Sequence, residues 1–275
     1  MRILFMGNNW VAWQVIRYLT DLKENIVGLV IHPEDKQRYA KEIVESTDID
    51  PSRIFDGSTL REKKTFQEIE ALKPDIGLSI LFGYIVSKDF IDLFKSGIVN
   101  LHPSYLPYNR GQYPNVWSIV EDTRAGVTLH YIDKGIDTGN VIAQQEVQVT
   151  WTDTGESLYK KLEHVSVKLF SEYWPRIRRG AEPRISQSTA TATYHSTKDV
   201  EKIDEVDLDR KYVARDLINI IRARTFPPYK GSYFWDGDKK IYMKIQLFEE
   251  DEMGRETQYS GLFHRVSFFL IGCFR

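Results

Sequence analysis

Cysteine is almost absent from this chain: among 275 residues there is one, Cys273. A single thiol cannot form an internal disulfide, and a reducing, cytoplasmic setting is the simplest interpretation. Long hydrophobic runs are missing too, since no stretch approaches the roughly 20 apolar residues of a transmembrane helix. The apolar run at residues 2–6 is too short for a secretory signal peptide, so we expect a first strand there and no membrane association.

Neither sign of charge is in excess, because 37 lysines and arginines face 39 aspartates and glutamates, for a formal net charge of −2. Such a balance gives no indication of binding to nucleic acid, although a few local cations could still hold one phosphorylated small molecule. Glycine is scarce at the first turn, GNNWVAW, which has Gly7 where a dinucleotide fingerprint needs three glycines. NAD is therefore disfavoured, and no cysteine and histidine spacing predicts a metal site.

The spacing of apolar residues predicts an α/β fold with a mostly parallel sheet and helices on both faces. Short apolar runs alternate with stretches in which apolar residues recur at helical spacing. The predicted strands are residues 2–6, 26–31, 75–81 and 98–101, and the predicted helices between them are residues 10–22 and 60–72. This order is that of a Rossmann-like core, in which ligands bind at the carboxyl ends of the strands.

The pattern then changes to alternating apolar and polar residues, in 127–132 and again in 146–149. This alternation predicts two half-buried strands, joined through the glycine-containing loop 133–139. Asp153 with Glu156 resembles a capping box at the start of a helix that ends at Gly180. Residues 1–180 are therefore expected to form one α/β domain.

The remaining residues divide into a connecting segment and a small module. Residues 181–200 are polar and rich in serine and threonine, which predicts a linker or an extended crossing segment. Residues 201–275 are predicted to form a small α+β module, with a helix at 211–224 and a β-hairpin whose turn is the Asp-Gly pair at 236–237. The apolar tail, residues 260–275, receives no structural assignment.

Three side chains in two segments suggest catalysis. Asn100 and His102 are two residues apart in the stretch VNLHPSYLPYNRG, so both face the same side of an extended strand that ends at the ligand edge. Asp137 lies on the loop that leaves a neighbouring strand. A carboxylate raises the pKa of an adjacent imidazole and fixes its tautomer, and a carboxamide can donate to a developing oxyanion. These groups suit acyl transfer to an amine, with His102 as base, Asn100 as oxyanion stabiliser and Asp137 as the group that tunes His102.

The other histidines suggest less. His130 is expected to be a structural strand residue, and the remaining four have no partner pattern. A metal site formed by His102, Asp133 and Asp137 is conceivable, but no ligand spacing supports it.

The stretches NLHPSYLPYNRGQYPN and GVTLHYIDKGIDTGNVIAQ closely resemble the folate-dependent formyltransferases, with Asn100, His102 and Asp137 at the matching positions. The resemblance covers roughly residues 1–248. It implies a formyltransferase catalytic domain and 10-formyltetrahydrofolate as the formyl donor, with no metal. It also implies a pterin pocket around Phe82, Gly83, Tyr84 and Ile85 and around the 131–137 loop. Within that loop the candidates are Asp133 and Gly135.

The later segment LINIIRARTFPPYKGSYFWDGDKKIYM resembles the branch that formylates nucleotide-linked amino sugars, of which dTDP-4-amino-4,6-dideoxyglucose is the commonest acceptor type. Aromatic residues around two prolines would form a rigid platform for a pyrimidine, and nearby arginines would meet a pyrophosphate. The polar residues that follow the catalytic histidine would face the sugar. The candidate acceptor-binding residues are Trp10, Tyr105, Tyr108, Asn109, Arg110, Gln112, Tyr194, Arg222, Phe226, Tyr229 and Tyr233.

Two alternatives stay open. A methionyl-tRNA formyltransferase would need a basic C-terminal domain for the acceptor stem, and the module here is short and not strongly basic. A non-catalytic folate or nucleotide-binding protein would keep the cleft without the chemistry. The base, dTDP or GDP, and the amino position, C3 or C4, cannot be read from the sequence. An exposed aromatic hairpin suggests a homodimer, and the family implies a product for lipopolysaccharide or another surface polysaccharide.

Overall fold

The computed structural model describes residues 1–250, so the apolar tail at 260–275 lies outside the described residues. Within residues 1–250, no helix combines the length and the apolar character that crossing a membrane requires.

Eleven strands and eight α-helices are present in residues 1–250. The strands are β1 (Arg2–Gly7), β2 (Asn25–Ile31), β3 (Ile54–Asp56), β4 (Ile76–Ile80), β5 (Ile98–His102), β6 (Arg110–Gly111), β7 (Ala125–Tyr131), β8 (Val141–Val147), β9 (Tyr194–His195), β10 (Tyr233–Asp236) and β11 (Lys239–Tyr242). The helices are α1 (Trp10–Asp21), α2 (Ala40–Glu45), α3 (Lys63–Ala71), α4 (Lys88–Asp92), α5 (Pro114–Val120), α6 (Gly155–Ile177), α7 (Thr197–Asp204) and α8 (Ala214–Arg224).

Seven strands form the main sheet in the order β3-β2-β1-β4-β5-β7-β8. The first five of these are mutually parallel, whereas β7 pairs antiparallel with β5 and β8 antiparallel with β7. The predicted Rossmann-like, mostly parallel α/β core is therefore confirmed. Strand β4 is buried along its whole length, as expected for a parallel strand that is covered on both faces.

Two hydrophobic clusters cover the two faces of the sheet. One packs α1 and the long helix α6 against it, with Leu19, Phe170 and Trp174 fully buried. The other gathers Phe90 and Phe94 of the α4 region with Leu4 and Ile98 of the sheet. Helices thus cover both faces of the sheet, and the carboxyl ends of β4 and β5 remain free to form a site.

The start of α6 differs from the prediction by one residue. Thr154, and not Asp153, is the N-cap: its side chain accepts from the Ser157 N–H, and the Ser157 hydroxyl accepts from the Thr154 N–H. Asp153 is instead buried and accepts from Thr150 and Lys161. A cluster of Asp, Thr and Ser offers several equivalent caps, so spacing alone could not choose among them.

The C-terminal part contains the predicted helix and hairpin with shifted limits. Helix α8 begins at Ala214 and not at 211, and Asp236 pairs with Lys239, so the hairpin turn is Gly237-Asp238. Gly237 has a positive φ of 57°, which explains the glycine at the first position of the turn.

Most of segment 181–200 is extended and paired with the core, and its last residues, from Thr197, begin α7. Ile185 bridges to Val141, and β9 pairs in parallel with β6. We call residues 182–195 the strap, because they run over the loop between β7 and β8 and on to the loop after β5.

Candidate active site

A cavity of about 820 Å³ opens at the carboxyl ends of β4 and β5, beside the antiparallel strand β7. Its walls include Ser79, Asn100, His102, His130 and Asp137. This volume lies in the upper part of the range of small-molecule sites, so it suits a large ligand or two ligands side by side.

Strand register brings Asn100, His102 and His130 together. In the antiparallel pair of β5 and β7, Asn100 lies opposite His130, and His102 lies opposite Thr128. Residues two apart on a strand share a face, so the imidazole of His130 joins the two side chains on β5. The rings of His102 and His130 are 6.3 Å apart between centroids and nearly perpendicular.

Asp137 closes the cluster from the loop after β7. Its Oδ2 is 3.7 Å from His102 Nε2, its Oδ1 is 3.5 Å from His130 Nε2, and the Gly111 N–H donates to Oδ2 at 2.9 Å. The residue has a positive φ of 52°, a left-handed conformation that aspartate tolerates better than most residues. The three side chains predicted to act together therefore meet at one wall of the cavity.

His130 was expected to be structural, and the structure places it in the site. Its Nδ1 lies 2.9 Å from the carbonyl of Tyr131, which can only accept, so in the neutral ring Nδ1 carries the proton. Nε2 then accepts from Asn100 Nδ2 at 3.0 Å. This contact fixes the orientation of the Asn100 amide and leaves its second Nδ2 hydrogen for another acceptor.

The electrostatics of His102 differ from the prediction in direction. Burial lowers the pKa of the His102 imidazole below its ordinary value, and this effect outweighs the Asp137 carboxylate, which raises that pKa. Burial would raise the pKa of the Asp137 carboxyl, but the imidazoles of His102 and His130 and the Gly111 N–H together hold that pKa well below its usual range. At neutral pH the site therefore pairs a neutral imidazole with a carboxylate, which is the state a general base needs.

All six residues predicted for the folate side line the cavity, namely Phe82, Gly83, Tyr84, Ile85, Asp133 and Gly135. His32 joins them, with its ring 4.9 Å from that of Tyr84 and 5.3 Å from that of Phe82. Asp133 accepts from the Gly135 N–H at 2.9 Å and from the Thr138 hydroxyl at 2.6 Å, so its carboxylate also shapes the loop that carries Asp137.

The residues predicted for the acceptor side separate into three groups. Gln112 and Tyr194 line the cavity. Phe226 and Tyr229 lie just behind its rim: the Phe226 ring packs on the cavity residue Tyr159, and the Tyr229 hydroxyl accepts from Arg38 at 3.1 Å. The rest do not line it.

Four of those remaining residues have other neighbours that account for them. Trp10 packs against His164, and the Tyr105 ring lies under the Arg124 guanidinium. The Tyr108 carbonyl accepts from Ser104, and Tyr233 donates to Glu205 within the hairpin module. None of these four residues lines the cavity.

Asn109, Arg110 and Arg222 also bind protein rather than the cavity. Asn109 is fully buried and donates to Ser118 and Thr123. Arg110 donates to Gln187 at 2.7 Å. Arg222 donates to the carbonyls of residues 150, 151 and 153 from the C-terminal turn of α8, so the guanidinium predicted for a pyrophosphate instead fastens α8 to the start of α6.

Asn8 and Asn9, which follow Gly7 in the first turn and could be expected to line the cleft, do line the cavity, and four further lining residues were missed by the sequence analysis: Lys36, Arg38, Asn115 and Tyr159. Asn8 donates to the Lys36 carbonyl at 2.9 Å and accepts from the Arg38 N–H at 3.2 Å, so it fastens this basic segment to the end of β1. Burial raises the pKa of Tyr159 to about 12. The Asn-Asn pair could be placed because β1 ends at the ligand edge, whereas the four missed residues have no such local signal.

Two parts of the chain match known protein families, and both matches agree with this geometry. Residues 1–173 match the family described as formyl transferase, and residues 199–249 match the one described as N-formyltransferase dimerization C-terminal domain.

Individual relatives fall into two groups. The methionyl-tRNA formyltransferase of Alkaliphilus oremlandii is 29% identical over 260 residues, covering 91% of this chain and 82% of its own. Among solved structures, a 4-N formyltransferase from Francisella tularensis is 27% identical with a TM-score of 0.74, covering 90% of this chain and 98% of its own. A third relative is the formyltransferase PseJ from Anoxybacillus kamchatkensis, solved in complex with UDP-4,6-dideoxy-4-formamido-L-AltNAc and tetrahydrofolate. It is 33% identical with a TM-score of 0.53, covering 74% of this chain and 89% of its own.

Proposed function

This chain belongs to the formyl transferase family of one-carbon transfer enzymes, and from that premise we propose that it is an N-formyltransferase acting on a nucleotide-linked amino sugar. The donor is 10-formyltetrahydrofolate, and the acceptor is the amino group of a 4-amino-4,6-dideoxy sugar, most favourably linked to dTDP. The observation that carries the proposal is the cluster of Asn100, His102, His130 and Asp137 on the wall of a cavity with room for two ligands. PseJ, whose complex contains a UDP-linked 4-formamido sugar, supports the acceptor class.

The donor would occupy the side formed by Phe82, Gly83, Tyr84 and Ile85 and by the 133–135 loop. Strand β4 ends at Ile80 beside this side, and the turn at Gly83 has a positive φ of 81° with no atom near the position of a Cβ. Such a turn exposes main-chain groups to a flat heterocycle that binds through its edge.

The acceptor would occupy the opposite side, near the end of β1. Lys36 and Arg38 line the cavity there and offer two cations to a pyrophosphate, in place of the Arg222 predicted from the sequence. Tyr159 lines the same side with the Phe226 ring 5.6 Å from its own, and Tyr229 adjoins it. We propose that these aromatic rings bind the base.

The chain's own residues would carry the proton and the charge. The donor supplies an activated formyl group, so no protein nucleophile is needed. Nε2 of His102 faces only acceptors, the Asn109 carbonyl at 3.4 Å and the Asp137 carboxylate, so in the neutral ring the lone pair lies on Nδ1. That lone pair removes the proton from the attacking amine, and Asn100 donates its second amide hydrogen to the oxygen that becomes negative. Asp137 stabilises the imidazolium, which then returns its proton to the leaving nitrogen.

The direct test is a turnover assay with purified protein, 10-formyltetrahydrofolate and dTDP-4-amino-4,6-dideoxyglucose. We expect a product that has gained one formyl group by mass spectrometry, together with release of tetrahydrofolate. His102→Asn should remove turnover and leave the circular dichroism spectrum unchanged. Binding of both ligands without any product would instead favour a non-catalytic binding protein.

A methionyl-tRNA formyltransferase is the second candidate, because curated relatives such as that of Alkaliphilus oremlandii carry this activity. Against it, residues 199–249 contain equal numbers of acidic and basic side chains, which gives little attraction for an acceptor stem. An electrophoretic shift with initiator methionyl-tRNA at moderate salt, and its formylation, would reverse the preference.

We also propose that the protein acts as a homodimer in the cytoplasm and that its product enters a surface polysaccharide. The match of residues 199–249 to a dimerization domain supports the dimer, as do exposed apolar side chains on the hairpin, including Trp235 and Ile241. Light scattering after size exclusion should give the mass of two chains, and the mass of one chain would contradict the dimer.

A further inference from the structure

The strap crosses directly over the loop that carries Asp137, and one of its side chains contacts that loop twice. Gln187 Nε2 donates to the carbonyl of Asp137 at 2.9 Å and to the carbonyl of Gly139 at 2.7 Å. Its Oε1 accepts from Arg110 at 2.7 Å. One amide therefore joins three segments: the strap, the Asp137 loop and the loop after β5.

These contacts stabilise the position of Asp137, whose backbone conformation and distances to the imidazoles depend on support from the surrounding chain. Asp137 has a positive φ, a left-handed conformation that is unfavourable for most L-residues and persists where the surrounding structure supports it. Its carboxylate meets the two imidazoles without a short hydrogen bond, at 3.7 and 3.5 Å. A small rotation of the loop would therefore change both distances, and at the carboxylate the Gly111 N–H is the short contact that opposes it.

Arg110 supports the same arrangement from β6, on the other side of the Gln187 amide. It lies on β6, whose pairing with β9 includes bonds from the Arg110 N–H to the Thr193 carbonyl at 3.1 Å and from the Gln112 N–H to the His195 carbonyl at 2.9 Å. Between them, the Gly111 N–H donates to the Asp137 carboxylate. Asp137 is therefore held at two points. Gln187 of the strap binds its main-chain carbonyl, and β6, which pairs with β9 of the strap, binds its carboxylate through the Gly111 N–H.

We propose that Gln187, anchored by Arg110, is a positioning residue that fixes the Asp137 carboxylate against His102 and His130. Neither Gln187 nor Arg110 lines the cavity, so their effect on the reaction passes through Asp137. This inference rests on the proposed formyl transfer, but its geometric content does not depend on which acceptor is used.

Two substitutions separate the parts of this contact. Gln187→Leu removes both donated hydrogen bonds and the acceptor for Arg110. Gln187→Glu keeps an acceptor for Arg110 but cannot donate to the two carbonyls. Gln145→Leu is the matched control, since Gln145 is exposed on β8 and its amide donates only to the neighbouring Glu146 carbonyl. Thermal melting should show all three proteins folded.

In the turnover assay, we expect both Gln187 variants to lose at least tenfold in kcat, with the KM of each substrate within about twofold of the parent value. Gln187→Leu introduced into Asp137→Asn should cause no further loss, because both act on the same carboxylate. A rise in KM with kcat unchanged, or a fully additive loss in the double variant, would overturn the proposal.

A readout without substrate distinguishes failure of this proposal from failure of the proposed function. In the free protein labelled at histidine, NMR titration follows His102, whose charged and titratable neighbours are Asp137 and His130. Displacing the carboxylate removes its support for the imidazolium, so the midpoint should move to lower pH in both Gln187 variants and stay unchanged in Gln145→Leu. An unchanged midpoint contradicts the positioning role of Gln187, even if the parent protein is active. If the parent forms no product but the midpoint moves, the proposed function fails while the positioning role of Gln187 stands.

Discussion

Replacing Asp137 with asparagine tests the electrostatic reasoning most directly. The side chain keeps its shape and an oxygen for the Gly111 N–H, so the fold and the loop should persist. Only the charge is lost. The separation between Asp137 Oδ2 and His102 Nε2 is 3.7 Å, beyond hydrogen-bond length, so the interaction counts as charge on charge.

The magnitude follows from that distance. With an effective dielectric constant of about 20, unit charges 3.7 Å apart attract by about 4.5 kcal/mol. This attraction exists when His102 is an imidazolium, during and after proton removal, and is absent while the imidazole is neutral. Its loss should therefore lower kcat by about a thousandfold, since each 1.36 kcal/mol in a barrier is a factor of ten.

The assay is steady-state formyl transfer at saturating donor and acceptor, with Asp92→Asn as the control. Asp92 is an exposed carboxylate on α4 that pairs with Lys88 and does not line the cavity, so its loss should leave kcat unchanged. If Asp137→Asn keeps more than a tenth of the parent kcat while folded, the charge of Asp137 does not stabilise the transition state, and the role given to it is wrong.

Three further predictions concern pH, the acceptor side and stability. Burial lowers the pKa of His102, and the base must be neutral. The acidic limb of the kcat/KM profile should therefore lie below the ordinary histidine pKa of about 6.5, with activity present above that limb and lost as the pH decreases through it. A limb above about 7 would contradict this. Arg38→Gln should raise the KM of the sugar nucleotide about tenfold with kcat nearly unchanged, as expected for loss of one charged contact, and Arg17→Gln, an exposed arginine on α1, should not. Arg222→Leu should reduce the free energy of unfolding in urea by about 3 kcal/mol because it strips buried carbonyls of their donor, and the protein that remains folded should keep its KM; a raised KM would restore Arg222 as a ligand.

Sequence patterns predicted the parts of the fold that depend on local periodicity. The strands β1, β2, β4 and β5 and the helices α1 and α6 agree with the prediction to within a few residues, because buried parallel strands and amphipathic helices have strong patterns. Short elements such as α2 and β3 were missed, because they are held by tertiary contacts rather than by propensity.

The site was predictable only in part, for reasons that individual residues illustrate. Asn100 and His102 could be placed because both lie on one strand, but His130 required the register of β5 with β7, which no local pattern gives. Arg222 looked like a phosphate ligand because a cation near aromatic residues has the same sequence signature whether it faces a cavity or its own backbone. Gln187 gave no signal at all, since it lies in a polar stretch and acts through hydrogen bonds to main-chain carbonyls.

The path of the strap has a consequence for how such an enzyme can be recombined. A cut after Gly180 looks natural on the sequence, but it would separate the core from the side chain that grips the Asp137 loop and from the partner strand of β6. A functional excision or a chimera with a different acceptor module should therefore be joined after His195, carrying residues 182–195 with the N-terminal piece. Modules exchanged at that later junction would inherit an intact catalytic apparatus.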